Sequence, residues 1–248
     1  MLESEVERRL CAALIATAGG YLRNPVRKSG VTCDVCTTPV EGGYRTCYRC
    51  KQHRLHSGVA DAVAPVTYAV AGSQSGYMMR GYKAFPRKVE GPYRVVSLLT
   101  VLALEKHALC AEPMADAAVT HWASVPSLPV KPGEHPFHRI VSGTAPGREA
   151  VLEAASGVAN ARAVDGGHFT VRGPLPKGAH VLLLDDTWTS GGHAQSAALS
   201  LREAGADRIS VLVAARWMKS DYQHNARFLG ELPDFDPYIC PWTGSVCP

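Results

Sequence analysis

Val6, Leu10, Leu14 and Ala18 recur every four residues, with Ile15 and Leu22 beside that stripe. This period predicts an amphipathic helix over residues 3–22, ended by Gly19-Gly20 and Asn24-Pro25. Pro65-Val66-Thr67-Tyr68-Ala69-Val70 reads as a strand, residues 75–85 as a short helix, and residues 95–109 as a largely buried helix. Residues 120–126 read as the next strand and its exit, followed by a loop at 127–138 rich in Pro and His. Residues 147–157 look helical, 168–171 read as a short strand, and 173–178 as a turn with two prolines. Val181-Leu182-Leu183-Leu184 then make a buried strand that two adjacent carboxylates, Asp185 and Asp186, bring to an end. A small glycine-rich turn leads into a helix over 194–205, and 209–214 is the next parallel strand. Strand, helix and strand at this spacing predict a right-handed βαβ unit, hence an α/β fold with a parallel sheet.

The turn after the acids is the most informative segment. Thr189-Ser190-Gly191-Gly192-His193 can aim successive backbone N–H groups at an anion, and the helix that follows adds its positive end. The glycines allow close backbone approach, and Thr189 and Ser190 offer hydroxyl donors. Asp185 and Asp186 stand at the carboxyl end of a parallel strand, where open α/β sheets place ligands. Paired carboxylates there suit the two hydroxyls of a ribose and a hard cation such as Mg²⁺. The order of parts predicts a site for a sugar phosphate. An ordinary strand–turn–helix needs neither two adjacent carboxylates nor Thr-Ser-Gly-Gly.

A second pattern lies near the front. Cys33-Asp34-Val35-Cys36 and Cys47-Tyr48-Arg49-Cys50 are separated by ten residues that include Pro39 and Gly42-Gly43, as a hairpin-like turn would. Two such knuckles supply four thiolates in tetrahedral reach of one Zn²⁺, a closed site that supports folding rather than catalysis. His53 and His56 follow closely and are alternative donors for one position. Cys240 and Cys247, in a tail rich in Pro and aromatics, are open to three readings: a second metal with other ligands, a disulfide, or free thiols. The anchors in that tail predict that it packs on the main domain. The expected organisation is an N-terminal helix (1–30), a four-Cys module (31–60), the large domain (61–230) and the tail (231–248).

Composition narrows the class. Hydrophobic residues make up 46% of the chain and charged residues 19%, as in globular proteins that do not span membranes. The net charge of +4 comes from a basic excess in residues 1–130, the rest being nearly balanced. Arg80, Lys83, Arg87, Lys88 and Arg94 are interleaved with Tyr77, Tyr82, Phe85 and Tyr93, a pattern on which bases of a single strand can stack while the cations take phosphates. The blander reading is that the aromatics pack and the cations are solvated. Glu3, Glu5 and Glu7 occupy the place of a positive signal-peptide region, and the run 95–104 is interrupted by Ser97 and Thr100 and too short to cross a bilayer. A cytoplasmic location without membrane association is expected.

The segment from Val181 to His193 resembles the phosphoribosyl pyrophosphate (PRPP) signature of type I phosphoribosyltransferases. There, four apolar residues precede two acids, two further residues and a Thr-Thr-Gly-like phosphate loop. Trp188 stands where that family usually has a small aliphatic residue, and His193 where Thr or Ser often completes the loop. With the four-Cys module first and the signature last, the chain looks like the ComF-like branch, associated in bacteria with competence and DNA uptake. The resemblance covers most of residues 30–217 and is sharp at the cysteines and the signature.

It implies a type I phosphoribosyltransferase-like parallel sheet flanked by helices, with a small N-terminal zinc module. It also implies binding of PRPP with Mg²⁺ and transfer of ribosyl 5-phosphate to an acceptor as pyrophosphate leaves. On this resemblance Thr189, Ser190, Gly191, Gly192 and His193 hold the 5-phosphate, and Asp185 and Asp186 hold the ribose. Lys83, in Arg80-Gly81-Tyr82-Lys83, matches a lysine common after the family's first short helix. Val125-Pro126-Ser127 matches the start of the pyrophosphate loop, making Ser127 and Lys131 candidates with Lys83. The Arg-Gly-Phe-Asn-Gln segment usual thereafter is missing, and Pro146-Gly147-Arg148-Glu149-Ala150 is its nearest equivalent. The rival expectation is a module without turnover, whose loop senses PRPP or a nucleoside monophosphate while the front half contacts single-stranded DNA or a protein. A purely structural zinc protein is the third.

Overall fold

The computed structural model describes residues 4–84, 90–222 and 224–248. Helix α1 (Glu5–Leu14) opens with a capping box: the Glu7 amide donates to Ser4 Oγ, and the Ser4 amide to the Glu7 carboxylate. It continues into a π-helical turn, Ile15–Gly19. Helix α2 (Tyr48–His53) begins directly at Cys47. Strand β1 (Ala62–Val70) leads to α3 (Gln74–Gly81), a 3-10 turn (Tyr82–Ala84), the long α4 (Glu90–His107), a second 3-10 turn (Ala108–Cys110) and α5 (Ala111–Ala115). Strand β2 (His121–Ser124), α6 (Pro136–Val141) and β3 (Arg148–Glu149) follow, then a hairpin of β4 (Leu152–Ala154) and β5 (Phe169–Val171). Strand β6 (His180–Trp188), α7 (Gly192–Glu203), β7 (Arg208–Met218) and α8 (Asn225–Gly230) complete the chain before the tail. Among the described residues, no helix is long and apolar enough to cross a membrane.

Five strands form one sheet in the order β1-β7-β6-β2-β3, every neighbour parallel. The expected parallel sheet flanked by helices is present. Its central strands are buried on both faces, so they read as continuous apolar runs. Leu182, Leu184, Leu212 and Ala214 face α1, α3, α4, α6 and the tail. Val181, Leu183, Val211 and Val213 face α7, the β4–β5 hairpin and the cysteine module. The period of two along each strand sorts the residues between these two cores.

Two expectations are corrected. Residues 147–157, composed largely of helix formers, are not helical. The Arg148 and Ala150 amides donate to the Thr120 and Trp122 carbonyls, at 3.0 and 2.7 Å, so this segment completes the open edge of β2. Pairing a vacant sheet edge outweighs the weak local preference for helix. Gly147 permits it: its φ is +84°, and a Cβ there would lie 2.4 Å from the Thr120 carbonyl oxygen. The second correction concerns β6, which does not stop at the acids. It runs on to Trp188, paired with Arg216, because β7 extends equally far beside it.

Candidate functional site

The site is built where β2 and β6 lie side by side. Helix α6, after β2, packs on the face containing Leu182 and Leu184. Helix α7, after β6, packs on the opposite face with Val181 and Leu183. The connections diverge at this point, which opens a crevice beyond the strands' carboxyl ends. The Val125 amide donates to the Leu184 carbonyl at 2.9 Å, so the exit of β2 runs beside the end of β6 just before the acid pair.

Asp186 is buried, and its Oδ2 accepts the Tyr82 hydroxyl proton. The Lys83 ammonium lies 2.5 Å from the same oxygen. Both partners come from the 3-10 turn after α3, more than a hundred residues earlier in the chain. Against the upward push of burial, Lys83 and the Tyr82 hydroxyl hold Asp186 below the usual carboxylate range. Asp185 behaves oppositely: burial, then the adjacent Asp186 charge, raises it well above its ordinary value. Its Oδ1 accepts the Asp186 amide at 2.8 Å. The pair therefore holds one ionised carboxylate and one inclined to keep its proton.

The turn following β6 carries the features of an anion cradle. Gly191, at φ +88°, caps α7. A Cβ on Gly191 would lie 2.2 Å from the Trp188 ring, and one on Gly192 would lie 2.2 Å from the Arg162 carbonyl oxygen. Neither position accepts a side chain without displacement. The first-turn amides of α7 have no intrahelical acceptors; Ser190 Oγ lies 3.4 Å from the Gly192 nitrogen. Arg216 Nη1 braces the turn from below, donating to the Trp188, Thr189 and Trp217 carbonyls at 2.7–2.8 Å. Thr189 is exposed, and Ser190 and His193 are half-buried. Burial, with the neighbouring His168, lowers the His193 imidazole, while Asp186 draws it upward.

Trp188, the departure from the expected small residue, is buried with the cysteine module and with Ala194 and Ala197 of α7. Its bulk fills the space under the turn, and glycine at 191 is the consequence.

The loop between β2 and α6 contributes a residue the sequence reading missed. His135 caps α6 through Nδ1, which accepts the Phe137 amide at 3.2 Å. Burial lowers its imidazole, and Asp186, Lys83 and Lys131 all act on it through their charges. Lys131 itself is exposed, and Ser127 is half-buried. The signal available in sequence was only a histidine ahead of Pro136 in a Pro-rich loop. Asp186 thus has Lys83 as an ion-pair partner and His135 and His193 within electrostatic reach, at the end of the strand that leads into the 189–193 turn.

Tyr82 is buried with its hydroxyl committed, so it offers no face for stacking. Arg80 lies over the Trp217 ring at 4.6 Å. Phe85, Arg87 and Lys88, from the same basic stretch, lie outside the described residues.

The four front cysteines converge as their spacing predicted. The ligand atoms of Cys33, Cys36, Cys47 and Cys50 all lie within 4.8 Å of one another. Cys36 and Cys47 sulfurs are 3.8 Å apart, against about 3.8 Å for the edge of a tetrahedron with Zn–S bonds of about 2.3 Å. The group is compatible with structural zinc. His53 is not among the clustered donors and packs edge-on to Trp188, ring centroids 6.5 Å apart, and His56 is exposed. The module packs with Trp188, whose ring lies against Gly191 of the glycine turn.

No family model matches the chain, and no curated protein matches it. Among solved structures, an adenine phosphoribosyltransferase aligns at 16% identity and TM-score 0.35, covering 57% of this chain and 98% of its own. A purine phosphoribosyltransferase from Pyrococcus horikoshii Ot3 aligns at 13% identity and TM-score 0.28, covering 50% and 86%.

Proposed function

We propose that the crevice binds PRPP and that the chain transfers ribosyl 5-phosphate to an acceptor, with release of pyrophosphate, in the manner of the ComF-like proteins it resembles. The observation that carries this reading is the convergence of the Asp185–Asp186 pair with the Gly191–Gly192 turn at the start of α7. The turn's amides and the Thr189 and Ser190 hydroxyls take the 5-phosphate, assisted by the helix dipole. Asp185 and Asp186 accept hydrogen bonds from the ribose hydroxyls. Their oxygens are also the hard donors that Mg²⁺ takes, and the ion, when bound with substrate, supplies charge neutralisation at the pyrophosphate. Lys83, Lys131 and Ser127 face that leaving group. As the bond from C1 of the ribose to pyrophosphate oxygen breaks, positive charge grows on the ring and negative charge on the departing group. Fixed cations of this chain offset the latter, and no covalent nucleophile is required. Exclusion of water from the filled crevice favours the acceptor over hydrolysis.

Lys83 favours a second reading. Its ammonium already neutralises Asp186, so a ligand that competes for Oδ2 would displace it. A module that senses PRPP or a nucleoside monophosphate through that switch, without turnover, has the same residues. Release of pyrophosphate from PRPP by the purified protein, across a panel of bases and amines, separates the two. Stabilisation by PRPP without pyrophosphate release supports the sensor; absence of any PRPP-dependent stabilisation refutes both.

A further inference from the structure

The tail is fastened at several points. The Phe235 amide donates to the Gly19 carbonyl at 3.2 Å, and Asn24 and Asp236 exchange two hydrogen bonds of 2.9 and 2.7 Å. Arg27 Nε donates to the Pro241 carbonyl at 2.6 Å, and Trp242 Nε1 to the His107 carbonyl at 2.8 Å. These contacts hold the tail against the N-terminal segment and, through Trp242, the end of α4. There, His107 closes the helix and Cys110 closes the following 3-10 turn.

At this seam the ligand atoms of His107, Cys110, Cys240 and Cys247 all lie within 4.8 Å of one another. The two pairs of donors come from segments about 130 residues apart, and no disulfide joins the sulfurs. Cys247 Sγ is 3.4 Å from His107 Nδ1. The corresponding edge of a zinc tetrahedron, with bonds of about 2.3 Å to sulfur and about 2.0 Å to nitrogen, is about 3.5 Å.

The surrounding groups are arranged for a metal. His107 Nε2 lies 3.1 Å from the Pro237 carbonyl. A proton on Nε2 directed at that oxygen leaves the Nδ1 lone pair facing the sulfurs, the second-sphere arrangement usual for a metal-bound imidazole. The turn that returns Cys247 to the cluster is closed by the Gly244 amide on the Cys240 carbonyl and the Cys240 amide on the Ser245 carbonyl, both 2.8 Å. Gly244 takes φ +78° in it.

We propose that His107, Cys110, Cys240 and Cys247 form a second tetrahedral zinc site, which staples the C-terminal segment to the end of α4. Three thiolates and one imidazole are a soft donor set that selects zinc over Mg²⁺ or Ca²⁺. Four protein ligands leave no open position, so the site is structural. It lies on the α4 side of the sheet, whereas the Cys33–Cys50 cluster lies on the α7 side.

The test uses the full chain purified under reducing conditions. Elemental analysis is expected to find two zinc ions per chain. X-ray absorption of the same sample is expected to show a mean first shell of about 3.5 sulfurs and about 0.5 nitrogen per zinc. That is the average of an all-sulfur site and one with three sulfurs and a nitrogen. Cys240→Ser/Cys247→Ser is expected to lose one zinc and the nitrogen contribution while keeping the front site. An all-sulfur shell in the wild type, equal zinc content in wild type and double variant, or an intact mass about 2 Da low from a Cys–Cys bond within this cluster overturns the proposal. The wild-type measurements decide it even if the variant does not fold.

Discussion

Replacing Asp186 with asparagine removes one charge from the crevice and changes little else. The side chain is only 8% exposed, and it meets the Tyr82 hydroxyl and the Lys83 ammonium. The amide keeps an oxygen for Tyr82 but loses the attraction for Lys83, whose side chain is 42% exposed and stays solvated. Exchanging a charge-assisted hydrogen bond for a neutral one costs about 1 kcal/mol. The basal melting temperature of D186N should therefore stay within about 4 °C of wild type. Ligand response should differ sharply. PRPP at a hundred times its Kd stabilises a binding protein by about 2.7 kcal/mol. For a chain of this size that is a rise of about 5–10 °C. With Mg²⁺ present, the wild type should show such a rise and D186N a rise below about 1 °C. The assay is a thermal melt with and without PRPP, with zinc content measured in parallel. A full PRPP-dependent rise in D186N removes Asp186 from the ligand site, and one in the double variant D185N/D186N removes the acid pair.

Gly191→Ala places a Cβ against the Trp188 ring at a positive φ, so a loss of about 2–4 kcal/mol is expected from strain and overpacking together, read by denaturant melts; unchanged stability would mean that the turn relaxes freely. Because Asp185 is raised by burial and by Asp186, ligand binding that requires both carboxylates ionised should release protons near neutral pH, and affinity should rise with pH until Asp185 has titrated. Calorimetry in buffers of different ionisation enthalpy measures this, and proton uptake would contradict it. The same residue's contribution to stability of the unliganded fold is present in acid and is lost as pH rises through its raised pKa, whereas that of Asp186 is lost as pH falls through its lowered one. Cys50→Ser should remove the zinc of the front module and, through Trp188 packed beside it, also weaken PRPP-dependent stabilisation; zinc loss with an intact PRPP response would uncouple module from turn.

Much of this architecture was legible in the residue order, because the relevant physics is local. The apolar runs of β6 and β7, the acids, the glycine turn and α7 follow each other within about 40 residues, and their periods and turn chemistry announce them. The two Cys-x-x-Cys knuckles lie close enough in the chain for spacing alone to predict their convergence. Other features depended on neighbours that no local pattern reveals. Residues 148–150 paired with β2 because that strand presented an open edge, residues 152–154 paired with β5, and β6 outran its acids because β7 continued beside it. Tyr82 and Lys83 meet Asp186 only because the turn after α3 is brought to the end of β6, and their contacts hold its carboxylate below the usual range. His107 and Cys110 meet Cys240 and Cys247 only because the tail's aromatics are buried against α4. Strand and turn propensities act over a few residues, whereas edge pairing, burial of charge and metal-ligand clustering are set by distances that exist only once the chain is packed.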